Sequence, residues 1–125
     1  MKLFDATGGT IFNISSEAGR TPLPTEAVYS ASKAELDALT TALSKEFNSR
    51  YIRINSILPG VVDTEGSRRG GFNSSEAETR LMATTPLGRT GQPEDITKVA
   101  VFLASEEAAW ITGEKIAVSG GIYGL

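Results

Sequence analysis

The chain has 125 residues, 12 of them basic and 15 acidic, and it contains no cysteine and no histidine. Its formal net charge is therefore −3. The two missing residue types exclude disulfides, thiolate nucleophiles, zinc fingers, histidine metal sites and a Ser-His-Asp triad. Acid/base chemistry near neutral pH must therefore use tyrosine, lysine, aspartate or glutamate. Because 40% of the residues are hydrophobic, we expect a folded domain rather than a disordered chain.

Charge and hydropathy argue against nucleic-acid and membrane partners. The balance is mildly acidic, and the longest basic run is Arg68-Arg69, so no basic groove is expected. Residues 1–4 are too short for the apolar part of a signal peptide, and no stretch approaches the ~20 apolar residues of a membrane span. We expect a soluble cytoplasmic protein in a reducing compartment.

Three short segments have the character of strands and alternate with helical segments. Residues 10–15 and 51–58 are rich in β-branched and aromatic residues, and residues 114–118 form a last short segment before a Ser-Gly-Gly turn. Strands that alternate with helices predict parallel βαβ units, and hence an α/β fold whose parallel sheet is covered on both faces. Three strands make a narrow sheet, so its outer strands need cover from another chain or segment.

The helices are predicted from apolar periodicity and from end signals. A long helix is predicted over 27–49, where apolar residues recur at helical spacing. These residues are Leu36, Leu39, Leu43 and Phe47. Alanines at four further positions of this helix predict close approach of another element; they are Ala31, Ala34, Ala38 and Ala42. A later helix begins at Pro93, which suits a first helical position. Residues 61–85 are predicted to be loop with one short helix that starts near Ser75 and ends before Pro86.

Tyr29 and Lys33 lie four residues apart near the start of the long helix, so their side chains emerge from one face. A phenol is a poor base at neutral pH, but a neighbouring ammonium favours its ionised form, so the pair can act as a general acid/base. Ser16 follows the first strand, at the edge where open α/β sheets bind ligands, and can hold a substrate oxygen beside the phenol. Taken singly, each of these residues is more often structural.

The order and spacing of these residues and their flanking segments resemble the short-chain dehydrogenase/reductase family. The matching segments are ISS at 14–16 with Gly19, YSASK at 29–33, NSILPGVVDT at 55–64, PLGR at 86–89 with Gly91 and PED at 93–95, and ITG at 111–113 with VSGG at 118–121. The match runs in order over nearly the whole chain, and as a set it is specific. It implies a Rossmann-like parallel sheet and NAD(P)-dependent interconversion of carbonyl and alcohol groups.

The resemblance also implies roles for individual residues. Ser16 would hydrogen-bond the substrate carbonyl or hydroxyl, Tyr29 would be the acid/base, and Lys33 would favour the phenolate and hold the nicotinamide ribose. The implied cofactor-binding residues are Tyr29, Lys33, Pro59, Gly60, Val62 and Thr64. The implied cofactor is NAD or NADP, the substrate is a small carbonyl or alcohol compound, and no metal site is expected. Residues 61–85 correspond to the family's substrate lid.

The matched motifs belong to the second half of such an enzyme. The family's glycine-rich dinucleotide fingerprint has no counterpart here, because Thr7-Gly8-Gly9 lacks the later glycines, and the family's upstream catalytic asparagine is missing too. We therefore expect residues 1–125 to form a single partial domain, the C-terminal half of the fold. Its uncovered sheet edge favours a homo-oligomer.

Two other functions stay open at this point. The SASK segment at 30–33 matches the Ser-x-x-Lys pattern of penicillin-recognising serine hydrolases, although their companion motifs are absent. Such an enzyme would use Ser30 or Ser16 as its nucleophile. A non-enzymatic assembly or interaction module would instead form a stable oligomer and bind no cofactor.

Overall fold

Three parallel strands form one sheet in the computed structural model, which describes residues 4, 6–22, 24–71 and 75–122. The strands are β1 (Gly9–Ile14), β2 (Ile52–Pro59) and β3 (Lys115–Val118), in the spatial order β1-β2-β3. β1 pairs with β2 from Gly9 opposite Ile52, and β3 joins β2 opposite Ser56. The predicted parallel α/β sheet is confirmed, and β2 runs one residue further than expected, through Pro59.

Four α-helices connect and cover these strands in the described part of the chain. They are α1 (Ala27–Glu46), α2 (Glu65–Arg69), α3 (Ser75–Thr84) and α4 (Pro93–Ala104). Three short 3-10 turns lie at Glu17–Gly19, Asn48–Arg50 and Glu106–Ala108. α1 ends earlier than predicted because the chain tightens into the second of these turns and reverses at Tyr51, whose φ is 55°. The described residues of the segment 61–85 form two helices where one was predicted.

The sheet face under α4 holds the apolar core. Ile57 on β2, Leu103 on α4 and Ala108 are completely buried and in contact. Six partly buried apolar residues pack against them: Ile96, Val99, Ala100, Ile111, Ile116 and Val118. α4 presents this face because its apolar residues recur every three or four positions, the period of a helix. Its start is fixed by Pro93 at the first turn and by a capping box between Gln92 and Asp95.

The opposite face, under α1, combines buried polar groups with apolar residues of β2, because Ile54 and Leu58 lie on the same side of the strand as Ser56. The buried residues of α1 are Ser30, Asp37, Thr40 and Ser44. Thr40 lies 3.1 Å from the hydroxyl of Ser56 on β2 and accepts a hydrogen bond from Asn13 on β1 at 2.9 Å. The leucine row that predicted this helix is therefore not its most buried row; Leu39 is 46% exposed. The polar row has the same helical spacing, and at its centre the Thr40 hydroxyl finds hydrogen-bond partners on both strands, so this row can face the sheet.

Two further faces lack cover among the described residues. The four alanines that predicted a close approach on α1, at positions 31, 34, 38 and 42, are all exposed. No described strand pairs with the outer edge of β1, where Phe12 is 36% and Ile14 47% exposed. In the part of the chain that the structure describes, no helix has the length and apolarity to cross a membrane.

Candidate active site

An open cleft of about 970 Å³ lies at the carboxyl ends of β1 and β2. Its walls come from four parts of the fold: the two strand ends, the start of α1, the segment that follows β2 with α2, and the first turn of α4. The chain leaves parallel strands at this edge and turns into helices, so loops and helix N-termini meet there. Every residue to which the family resemblance assigned a catalytic or cofactor-binding role lies in this wall.

Ser16 enters the cleft directly after β1. It is the N-cap of the first 3-10 turn, and its Oγ accepts a hydrogen bond from the backbone N–H of Ala18 at 3.1 Å. That bond uses a lone pair of the oxygen and orients the side chain, while the hydroxyl proton stays available to a ligand. Ser16 can therefore donate a hydrogen bond to a substrate oxygen.

Tyr29 and Lys33 stand on the first turns of α1, beside the end of β1. Tyr29 is 47% exposed to the cleft, and the Lys33 ammonium lies 5.7 Å from the centre of its ring. Lys33 Nζ also donates a hydrogen bond to the carbonyl oxygen of Ile14 at 3.0 Å. Ser15 Oγ in turn donates to the Lys33 carbonyl oxygen at 3.1 Å. These two bonds cross between β1 and α1 and hold the cation at a fixed place near the phenol.

The segment after β2 forms the opposite wall. The Gly60 N–H donates to the Val118 carbonyl oxygen at 3.1 Å, and a Cβ on Gly60 would lie 2.8 Å from the Cα of Ser119. Only glycine fits this close passage of the chain past the end of β3. Val62 forms an isolated parallel bridge with Gly91, which ties the segment to the approach to α4.

Thr64 begins the helical part of that wall. Its side chain caps α2 by accepting from the Ser67 N–H at 3.1 Å, and the Ser67 hydroxyl accepts from the Thr64 N–H at 2.9 Å. Asp63 pairs with Arg68 in two hydrogen bonds of 2.8 and 3.0 Å. Local contacts therefore define α2, although none of its residues is buried.

The other serine proposed as a nucleophile does not line the cleft. Ser30 is 2% exposed on the sheet side of α1, and its hydroxyl has no hydrogen-bond partner among the described residues. A nucleophile must reach its substrate, so this position offers no support for a hydrolase that uses Ser30.

Several wall residues were not singled out by the sequence analysis. Thr25 and Glu26 precede α1, and Pro93, Ile96 and Thr97 come from α4. No local pattern marks them, because the fold brings α4 to the cleft from more than sixty residues beyond Tyr29. Glu26 and Lys33 are the charged members of this wall. Within the described chain, no cluster of acidic residues has the makings of a metal site.

Comparison with known proteins establishes the family. A family model described as enoyl-(acyl carrier protein) reductase matches residues 1–123. An uncharacterized oxidoreductase of Methylorubrum extorquens is 50% identical over 115 residues, which are 92% of this chain and 46% of that protein. The 3-oxoacyl-(acyl-carrier-protein) reductase FabG of Pseudomonas aeruginosa is 42% identical over 118 residues, 94% of this chain and 47% of that protein.

A solved structure agrees with this similarity in sequence. The structure of the angucycline C-6 ketoreductase LanV with bound NADP superposes with a TM-score of 0.84 and 38% identity, covering 94% of this chain and 44% of LanV. The chain therefore belongs to the short-chain dehydrogenase/reductase family, a family of oxidoreductases. It spans about half the length of the curated relatives it matches.

Proposed function

We propose that this chain carries the proton-transfer centre of an NAD(P)-dependent carbonyl reductase or alcohol dehydrogenase. The observation that supports the proposal is the convergence of Ser16, Tyr29 and Lys33 on one cleft at the carboxyl ends of parallel strands. Tyr29 and Lys33 are neighbours on one helix, whereas Ser16 precedes that helix in the sequence. The two hydrogen bonds between the end of β1 and α1 hold Ser16 near the other two residues.

The three side chains divide the chemistry between them. In reduction, the Tyr29 phenol donates its proton to the substrate oxygen as that oxygen gains negative charge, and the Ser16 hydroxyl donates a hydrogen bond to the same oxygen. The Lys33 ammonium stabilises the phenolate that remains. In oxidation the phenolate removes the proton from the alcohol. A bound nicotinamide cofactor supplies or accepts the hydride.

The cleft fits the nicotinamide and ribose part of such a cofactor. Tyr29, Lys33 and Thr64 offer donors and acceptors for ribose and amide groups, and Pro59 and Val62 offer apolar surface for a flat ring. Lys33 is the one cation among the described residues that line the cleft. The structure of LanV was solved with NADP bound. For this chain, the proposal includes both NAD and NADP as cofactors.

We further propose that residues 61–85 act as the substrate lid within a single partial domain, residues 1–125. The base of this segment is tied down by the Val62–Gly91 bridge, while α2 stands over the cleft with no buried residue. An element with few buried contacts opens at low cost in free energy. Hydrogen exchange should therefore be faster in α2 than in α1.

The test of the proposed reaction is turnover by the purified 125-residue chain, followed by the absorbance of the reduced cofactor with a panel of ketones and alcohols. Tyr29→Phe removes the proton donor, and we expect kcat to fall by about 10²- to 10⁴-fold with little change in KM. Tyr51→Phe is the matched control, because Tyr51 is 77% exposed and lies outside the cleft.

Binding of the cofactor is measured separately by calorimetry with NADH and NADPH. Undetectable binding of both, together with no turnover by the wild-type chain, would refute the proposal that residues 1–125 carry out this reaction alone, and would leave the family assignment unchanged. Equal turnover by Tyr29→Phe and wild type would refute the role of the phenol alone.

The uncovered edge of β1 favours a second proposal, that the chain assembles with other copies of itself. Unpaired backbone groups at an edge strand, beside the half-exposed Phe12 and Ile14, are a template for pairing between chains. Sedimentation equilibrium should give a stable oligomer. A monomer with a cooperative thermal transition would contradict this expectation, whereas an oligomer that binds no nicotinamide cofactor would favour the non-enzymatic module.

A further inference from the structure

Glu26 is a charged wall residue to which the proposed chemistry gives no task. It occupies the N-cap of α1, yet its side chain makes no capping hydrogen bond. It is half-buried, it lines the cleft, and its carboxylate is in none of the salt bridges found among the described residues. Glutamate is also not among the residues preferred at a helix N-cap. A capping hydrogen bond to α1 therefore does not explain this residue.

The backbone immediately before Glu26 is strained. Thr25 has a φ of 71°, in the left-handed region that a β-branched residue rarely adopts. Such a conformation persists only where the surrounding structure fixes it, and it occurs most often at functional sites. Thr25 lines the same cleft. The strained residue Thr25 directly precedes the N-cap of α1, and this next residue, Glu26, lies in the cleft wall.

Glu26 and the acid/base are close in the helix geometry. Glu26 and Tyr29 are three residues apart at the first turn of α1, so they lie on the same side of the helix. The one cation of the wall, Lys33, stands a turn further on, with its ammonium held by the Ile14 carbonyl oxygen and near the phenol ring. The cleft therefore has a positive group beside the acid/base and a negative group one turn away toward the start of α1.

Much of the remaining wall is apolar. Val28, Val61, Val62 and Ile96 contribute to it, together with Ile14 and Pro59. A substrate that fits this wall has an apolar body, and its reactive oxygen lies against Ser16 and Tyr29. A substituent of this substrate on the side of the α1 N-terminus then approaches Glu26, where a positive charge gains an electrostatic attraction and a negative charge meets repulsion.

We propose that Glu26 is a specificity-determining residue that selects substrates with a cationic group, an amino ketone or amino alcohol, over neutral and anionic ones. This inference rests on the proposed carbonyl and alcohol chemistry of the cleft. The negative group beside the acid/base disfavours a carboxylate or phosphate on the substrate at the same position.

The experiment compares three ketones of the same shape by NMR titration of the purified chain: 4-aminocyclohexanone, cyclohexanone and 4-oxocyclohexane carboxylate. The dissociation constants follow from the shifts of cleft amide signals, so no turnover is needed. At low salt we expect the ammonium ketone to bind about fivefold more tightly than the neutral one, and the carboxylate about fivefold more weakly. High salt should reduce both differences, because Glu26 is only half-buried.

Three variants assign the effect to this side chain. Glu26→Gln should bring the three dissociation constants together, and Glu26→Lys should reverse their order. Glu35→Gln is the matched control, because Glu35 is an exposed acid on the same helix outside the cleft, and it should keep the wild-type order.

The outcomes separate this proposal from the proposed function. Equal affinities for the three ketones, an unchanged order in Glu26→Gln, or no binding of any ketone would overturn the role of Glu26. If the cofactor still binds and Tyr29→Phe still lowers turnover, the proposed reaction survives that result. Loss of cofactor binding and of turnover in the wild-type chain refutes the reaction itself, whatever the order of the ketones.

Discussion

Replacing Asn55 should lower the stability of the fold, because its side chain joins β2 to the segment that leads into β3. Asn55 lies on β2 and is fully buried. Its Nδ2 donates to the Ile111 carbonyl oxygen at 3.0 Å, and its Oδ1 accepts from the Glu114 N–H at 3.0 Å. The side chain therefore satisfies two backbone groups of the segment that leads into β3, and it holds the strand whose end packs against Gly60 in the cleft wall.

Asn55→Leu keeps a similar side-chain size but removes both hydrogen bonds. Both bonds are partly buried, and the loss of such a bond costs about 0.5–1.5 kcal/mol, so the free energy of unfolding should fall by about 1–3 kcal/mol. Asn55→Asp keeps the acceptor for the Glu114 N–H and loses the donor to the Ile111 carbonyl oxygen. Asn55→Asp also buries a negative charge that faces this carbonyl oxygen, so it should destabilise the fold at neutral pH as well.

Urea unfolding followed by circular dichroism measures the change in stability, and hydrogen exchange measures the Glu114 amide directly. Exchange of this amide should be faster in Asn55→Leu than in wild type. Asn48→Leu is the control, because Asn48 is exposed in the 3-10 turn after α1. A stability within about 0.5 kcal/mol of wild type for Asn55→Leu, or unchanged exchange at Glu114, would refute the reasoning.

Three further changes test the charges and the close backbone approach. Burial raises the pKa of the Glu17 carboxyl. The contribution of this carboxyl to stability is therefore complete below the ordinary pKa of 4.5 and is lost as the pH rises through the folded-state pKa. At neutral pH, Glu17→Gln should unfold at a higher urea concentration than wild type, and in acid it should show no such gain. The hydrogen bonds from Arg89 lower the pKa of Asp95, so the contribution of this carboxylate to stability is present above the ordinary pKa of 3.8 and is lost on acidification. Urea titrations in acid should therefore show the difference in stability between wild type and Asp95→Asn disappear. Gly60→Ala should lower stability by about 1–3 kcal/mol, because the new Cβ would overlap with the end of β3. Gly66→Ala is the control and should not lower stability, because its Cβ would lie 3.8 Å from the nearest atom. Equal thermal midpoints for the two variants would contradict the packing argument.

The family was predictable from the order and spacing of motifs over nearly the whole chain, and most of the elements were predictable because their signals are local. Turn residues bound the segments that became β1 and β2, and apolar residues at helical spacing mark α1 and α4. The proposed catalytic residues Tyr29 and Lys33 sit one helical turn apart, a relation that is already present in the sequence. That the wall includes Ser16 also follows from sequence, since Ser16 comes directly after a parallel strand.

The sequence by itself determined that this is an α/β chain with a Ser, Tyr and Lys set at one sheet edge, since these features depend on spacing along the chain. Tertiary structure decided which face of α1 is buried, because hydroxyls such as Thr40 face the sheet only where Asn13 and Ser56 meet them. It also decided that Glu26 lies in the wall with α4 opposite. α4 is far from Glu26 in sequence. The charge environment of the cleft therefore depends on distances in space rather than along the chain.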